Sequence, residues 1–80
     1  MTITALLFAS YADLLGRESV ELDLPPGATV REALSRIRAL PGGSALPPAP
    51  LVAVNLAYAR PDAVLAPGDE VAVIPPVAGG

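Results

Sequence analysis

Ser19-Val20-Glu21-Leu22-Asp23-Leu24-Pro25-Pro26-Gly27-Ala28-Thr29-Val30-Arg31-Glu32-Ala33-Leu34 is the stretch on which the fold turns. Its first six residues alternate polar and apolar, the pattern of a strand with one face on a core and one in water. Pro25-Pro26-Gly27 then stops the strand, because proline has no N–H for a hydrogen-bond ladder. A helix follows at once. Thr29 and Glu32 stand in capping-box spacing, so the threonine hydroxyl can accept one of the free N–H groups of the first turn. Val30, Ala33, Leu34, Ile37 and Leu40 recur at intervals of three and four and make one apolar stripe. Arg31, Arg36 and Arg38 point elsewhere, and Pro41-Gly42-Gly43 ends the helix.

Working outward, the run Ile3 to Ala9 has the length and content of a buried strand. Ser10 and Asp13 repeat the spacing of a capping box, Leu14 and Leu15 follow, and Gly16 stops what reads as a short helix. On the far side, Pro41 to Pro50 is rich in proline and glycine and reads as an irregular connection. Leu51-Val52-Ala53-Val54 is a strand, which the pattern allows to run past Asn55 as far as Ala59. Pro67-Gly68 has the order of a type II turn, and Glu70-Val71-Ala72-Val73-Ile74 is the last strand. The expectation is an α+β domain with a mixed sheet and one main helix on one face. A β-grasp matches this order, and so do other small α+β topologies on pattern alone.

The alphabet excludes more chemistry than it permits. The chain of 80 residues has no cysteine and no histidine, which removes thiolate chemistry, disulfides and the commonest general base. The five basic residues are all arginine, so no lysine can form a Schiff base, and no serine has a histidine or lysine to activate it. No metal site is expected. A net charge of −3 argues against a nucleic-acid partner. No apolar run reaches the ~20 residues needed to span a bilayer, and MTITALLFAS lacks a basic n-region, so neither a membrane partner nor export is expected and a cytoplasmic location follows. The hydrophobic fraction is 52% with a mean hydropathy of +0.55. That excess marks either an apolar partner surface or surface alanine.

What remains is the tail, Pro75-Pro76-Val77-Ala78-Gly79-Gly80. The division expected is a domain over 1–75 and an extended, flexible tail over 76–80. The prolines favour an extended path away from the sheet. Val77 is an apolar group that can dock in a partner's groove. Gly79 and Gly80 carry no side chain, so a terminal carboxylate can enter a narrow slot. Fully extended, the last five residues reach roughly 16–18 Å, enough to enter another protein's active site. Phe8, core or partner surface on sequence grounds, is carried as a partner-binding candidate beside Pro75, Pro76, Val77, Ala78 and Gly79. Asn55, Asp69 and Glu70 read as turn residues, and Arg60 as a loop residue that is either solvated or in contact with a partner.

Leu7-Phe8-Ala9, Val30-Arg31-Glu32-Ala33-Leu34, Val52-Ala53-Val54-Asn55 and above all Leu65 to Gly80, with its ending G-D-E-V-A and P-P-V-x-G-G, resemble the small subunits of molybdopterin synthase. These are MoaD-like members of the ubiquitin-like sulfur carriers. The resemblance implies a β-grasp in which Gly80 is adenylated by an ATP-dependent activating enzyme and converted to a thiocarboxylate by a sulfur donor. It implies that the tail enters the large synthase subunit and donates sulfur to precursor Z (cyclic pyranopterin monophosphate), in a heterotetramer of two small and two large subunits. No cofactor would be bound by this chain, and catalytic side chains would belong mainly to the partner. The proline-rich connection from Pro41 to Pro50 departs from the family pattern. A carrier for thiamine or tRNA thiolation, a ubiquitin-like modifier joined through Gly80 to lysines, and a domain whose tail is only a docking peptide remain the alternatives.

Overall fold

The computed structural model describes residues 1–76. The chain runs β1 (Thr2–Leu7), α1 (Ala9–Leu15), β2 (Ser19–Asp23), α2 (Val30–Arg38), a 3-10 turn (Gly43–Ala45), β3 (Leu51–Val54), β4 (Ala57–Tyr58) and β5 (Glu70–Ile74). The strands form one sheet in the order β2-β1-β5-β3-β4. β1 and β5 run parallel in the centre, and every other pairing is antiparallel. This is the β-grasp: two hairpin-like halves joined only through β5, with α2 laid across one face.

Alternation decides which face each residue takes. Ile3, Ala5 and Leu7 of β1, Leu22 of β2, Val52 of β3, and Val71 and Val73 of β5 are buried in a single core with Val30, Ala33, Leu34 and Ile37 of α2. The apolar stripe of the helix therefore covers the odd-numbered face of β1, and each large aliphatic group so buried contributes about 1.5–3 kcal/mol. Thr29 caps α2 as its spacing requires, its hydroxyl accepting from the Glu32 N–H at 3.4 Å. The glycines after α2 serve close packing. Gly43 is buried, and a Cβ there would collide with the Ile37 carbonyl and the Arg38 Cα.

Three local expectations are corrected. The first strand ends at Leu7 rather than Ala9, because the chain turns at Ala9, which has φ +48°. Consequently Phe8 takes the N-cap position of α1, with no side-chain cap, and Ser10 lies inside the helix rather than capping it. The third strand does not continue to Ala59. Asn55 and Leu56 have φ of +49° and +73°, the signature of a type I′ turn, and Ala57–Tyr58 returns antiparallel on β3. The turn before β5 matches its expectation: Gly68 has φ +81° and the Asp69 N–H donates to the Ala66 carbonyl at 3.1 Å.

Candidate functional site: the sheet end from which the tail leaves

Because β1 and β5 are parallel, their C-terminal ends lie at the same edge of the sheet. Leu7 pairs with Val73, which sets Phe8 at the level of Ile74. Beyond Ile74 come Pro75, half-buried, and Pro76, exposed. Phe8, 47% exposed, belongs to surface rather than core. The structure thus brings Phe8, Pro75 and Pro76 to one end of the molecule. Val77, Ala78, Gly79 and Gly80, the tail residues expected to meet the partners, lie outside the described residues.

The helix-free face of the sheet leads to this end. Leu6 pairs with Ala72, Ala72 with Ala53, and Ala53 with Tyr58, so these four form one row across β1, β5, β3 and β4. The next row places Leu51 opposite Ile74. Leu51 and Tyr58 are 48% and 76% exposed, so the half nearer the tail is apolar and open to solvent. The other half differs. There Thr4 lies between Glu21 on β2 and Glu70 on β5, which makes the face acidic away from the tail. Sequence reading missed Leu6, Leu51 and Tyr58. Their signal was present in the alternation of β1 and β3, but without strand order nothing tied them together.

A small polar clasp fixes where β5 begins. The Asn55 side chain accepts from the Glu70 N–H and donates to an Asp69 carboxylate oxygen, both at 2.9 Å. The other Asp69 oxygen accepts from the Ala66 N–H at 2.8 Å. These bonds favour the ionised form, so the Asp69 carboxyl is held below its ordinary value, first by the Ala66 N–H and then by Asn55. Asn55 and Asp69 are therefore structural, pinning the β3–β4 turn to the turn before β5. Among the described residues Arg60 pairs with Asp62, at 3.8 Å on the surface.

Among the described residues no group of histidine, cysteine or carboxylate side chains is arranged to hold a metal ion. No buried polar side-chain atom among them lacks a hydrogen-bond partner. No helix there is long and apolar enough to cross a membrane. A profile of the ThiS family matches residues 5–80. The chain belongs to the ThiS family. It is 32% identical over 79 residues to the molybdopterin synthase sulfur carrier subunit of Arabidopsis thaliana, covering 98% of this chain and 82% of that one. To the protein of the same description in Chlamydomonas reinhardtii it is 35% identical over 83 residues, covering both chains in full. Among solved structures, SAMP1 of Haloferax volcanii superposes with a TM-score of 0.87 at 31% identity over the whole of both chains. The ThiS-family assignment covers the sheet, the helix and the tail together, so the resemblance carried by the last residues extends to the fold that presents them.

Proposed function

We propose that this ThiS-family chain is the sulfur carrier subunit of a molybdopterin synthase, with Gly80 as its working residue. The observation that carries the reading is full-length similarity to two molybdopterin synthase sulfur carrier subunits in a chain whose sequence runs from a central strand into Pro-Pro-Val-Ala-Gly-Gly. In this reading the Gly80 carboxylate attacks the α-phosphorus of ATP on an activating enzyme and pyrophosphate leaves. A sulfide-level donor, hydrosulfide in the simplest case, then attacks the acyl adenylate, a C–S bond forms, and AMP departs to leave a thiocarboxylate. The tail, a segment over 76–80 distinct from the domain of 1–75, enters the large synthase subunit and gives its sulfur to precursor Z. Pro75, Pro76, Val77, Ala78, Gly79 and Phe8 contact the partners. The chain contributes no cofactor and acts in the cytoplasm.

The deciding experiment is intact mass after incubation with the cognate activating enzyme, ATP and a sulfur donor. A gain equal to one oxygen replaced by sulfur, localised to Gly80, is expected. No gain, with the enzyme shown competent on another carrier, defeats the proposal. A second reading, covalent modification of other proteins through Gly80, has support in the likeness to an archaeal protein described as a small modifier. Adducts on lysines of other proteins in cell extracts distinguish it. A residue added after Gly80 abolishes either covalent function and spares a docking peptide.

A further inference from the structure

Beyond Leu51 and Ile74, the last rung that β3 and β5 share, the places where these two strands would next donate a hydrogen bond are held by proline. Backbone parity fixes those places, because successive N–H groups of a strand point to opposite neighbours. On one side of β5 the Asp69 carbonyl accepts from the Thr4 N–H at 2.9 Å, so residues 71 and 73 face β1 and the next donor is residue 75. On the other side the Glu70 carbonyl accepts from the Asn55 N–H at 2.9 Å, so residues 72 and 74 face β3 and the next donor is residue 76. Both are proline. β3 repeats the arrangement toward β4. The Ala59 N–H donates to the Val52 carbonyl at 2.9 Å, and the register carries the following rung to Pro50 and Pro61, neither of which has an N–H.

We infer that Pro76, supported by Pro50, Pro61 and Pro75, is a positioning residue that stops the sheet at Ile74, so that the sheet does not take up the residues leading to Gly80. The inference rests on the function proposed above, since a terminus that must enter another protein's active site cannot also serve as a longer β5. A central strand has two neighbours and one proline silences one of them, so two in succession are needed. The two sides are unequal. The acceptor that residue 75 would meet is the Phe8 carbonyl, which already accepts from the Tyr11 N–H at 3.0 Å as the chain turns into α1. Residue 76 falls opposite Ala49, in the connection that leads into β3 rather than in an element with a ladder of its own. Growth of the sheet is thus open on the β3 side, and Pro76 is the residue that prevents it. Pro50, in the same connection, cuts the β3–β4 ladder beside it.

Amide hydrogen exchange of the free full-length chain, read by NMR, tests this without a partner. In Pro76→Val the amide restored at position 76 is expected to exchange about fivefold more slowly than in a peptide of the same tail sequence, the factor one exposed backbone hydrogen bond supplies. Pro50→Val/Pro76→Val lets β3 lengthen as well and should slow it further. Pro75→Val restores a donor on the occupied β1 side, and its amide should exchange at the peptide rate. In thiocarboxylate formation, a tail that must first leave the sheet raises KM by the same factor with kcat unchanged. Pro76→Gly separates capture by the sheet from a lost contact with the enzyme. Glycine restores the donor but disfavours a strand, so its exchange should stay near the peptide rate and its KM near wild type. Pro76 is exposed, so these variants should keep the wild-type thermal transition. Peptide-rate exchange at position 76 in both valine variants overturns the inference, as does slowed exchange with unchanged KM. A KM raised as much by Pro76→Gly as by Pro76→Val also overturns it. Failure of the wild-type chain to gain mass, with position 76 protected in Pro76→Val, defeats the proposed function and leaves the stop at Ile74 standing.

Discussion

Replacing Asn55 by alanine removes the residue that ties the β3–β4 turn to the start of β5. Two side-chain hydrogen bonds disappear, one from the Glu70 N–H and one to Asp69, each at 2.9 Å. Bonds of this kind contribute about 1 kcal/mol each, and solvent access at this turn lowers the loss somewhat. Alanine must then adopt φ +49°, which asparagine tolerates better and which costs a residue with an ordinary Cβ about 1 kcal/mol. The expected destabilisation is about 2–3 kcal/mol. With a urea slope of about 1 kcal/mol per molar for a domain this small, the midpoint should fall by roughly 2–3 M. Asn55→Gly loses the same bonds without the backbone penalty, so it should recover about 1 kcal/mol relative to alanine, offset in part by glycine's greater unfolded-state freedom. Urea denaturation at neutral pH, followed by far-UV circular dichroism, measures all three proteins. A loss below about 0.5 kcal/mol for Asn55→Ala would refute the view that the clasp holds β5 in place.

Asp69 makes the same clasp dependent on pH. Its folded carboxyl titrates below the ordinary value of 3.8, so its stabilisation is fully present above the unfolded value and fades as pH falls through the lower folded one. The stability gap between wild type and Asp69→Asn should be constant above about pH 5 and close in acid; a gap unchanged down to about pH 2 contradicts the assignment. Ile37→Ala empties a fully buried site between α2 and the sheet and should cost about 2–5 kcal/mol in the same denaturation assay. Leu56 is 95% exposed at φ +73°, so Leu56→Gly should raise stability by up to about 1 kcal/mol, and a loss instead would show that the leucine packs on something.

The main helix was legible in the sequence because capping and periodicity agreed. Thr29 and Glu32 marked its start, and Val30, Ala33, Leu34 and Ile37 all reached the core. Ser10 misled because a capping residue must precede the helix, and the turn at Ala9 starts α1 before it. The β3–β4 turn was hidden for a different reason. Type I′ turns are recognised by Asn-Gly, and here leucine occupies the glycine's place, so a strained hairpin read as a continuing strand. The site divided in the same way. Phe8 could be named from sequence, whereas Leu6, Leu51 and Tyr58 on the same face come from β1, β3 and β4, whose closeness depends on pairing with the distant β5. Such contacts carry no local signal.

β5 is the last strand in chain order and yet fills the middle of the sheet, between β1 and β3. Until Glu70 to Ile74 are in place, the β1–β2 and β3–β4 pairs share no ladder, and the aliphatic groups of α2 have no continuous floor to rest on. Synthesis from the N-terminus therefore leaves the domain waiting for its final strand, and folding becomes a report that translation has reached the segment leading to Gly80. A ribosome that stalls earlier releases a chain with an open core, recognisable to proteases.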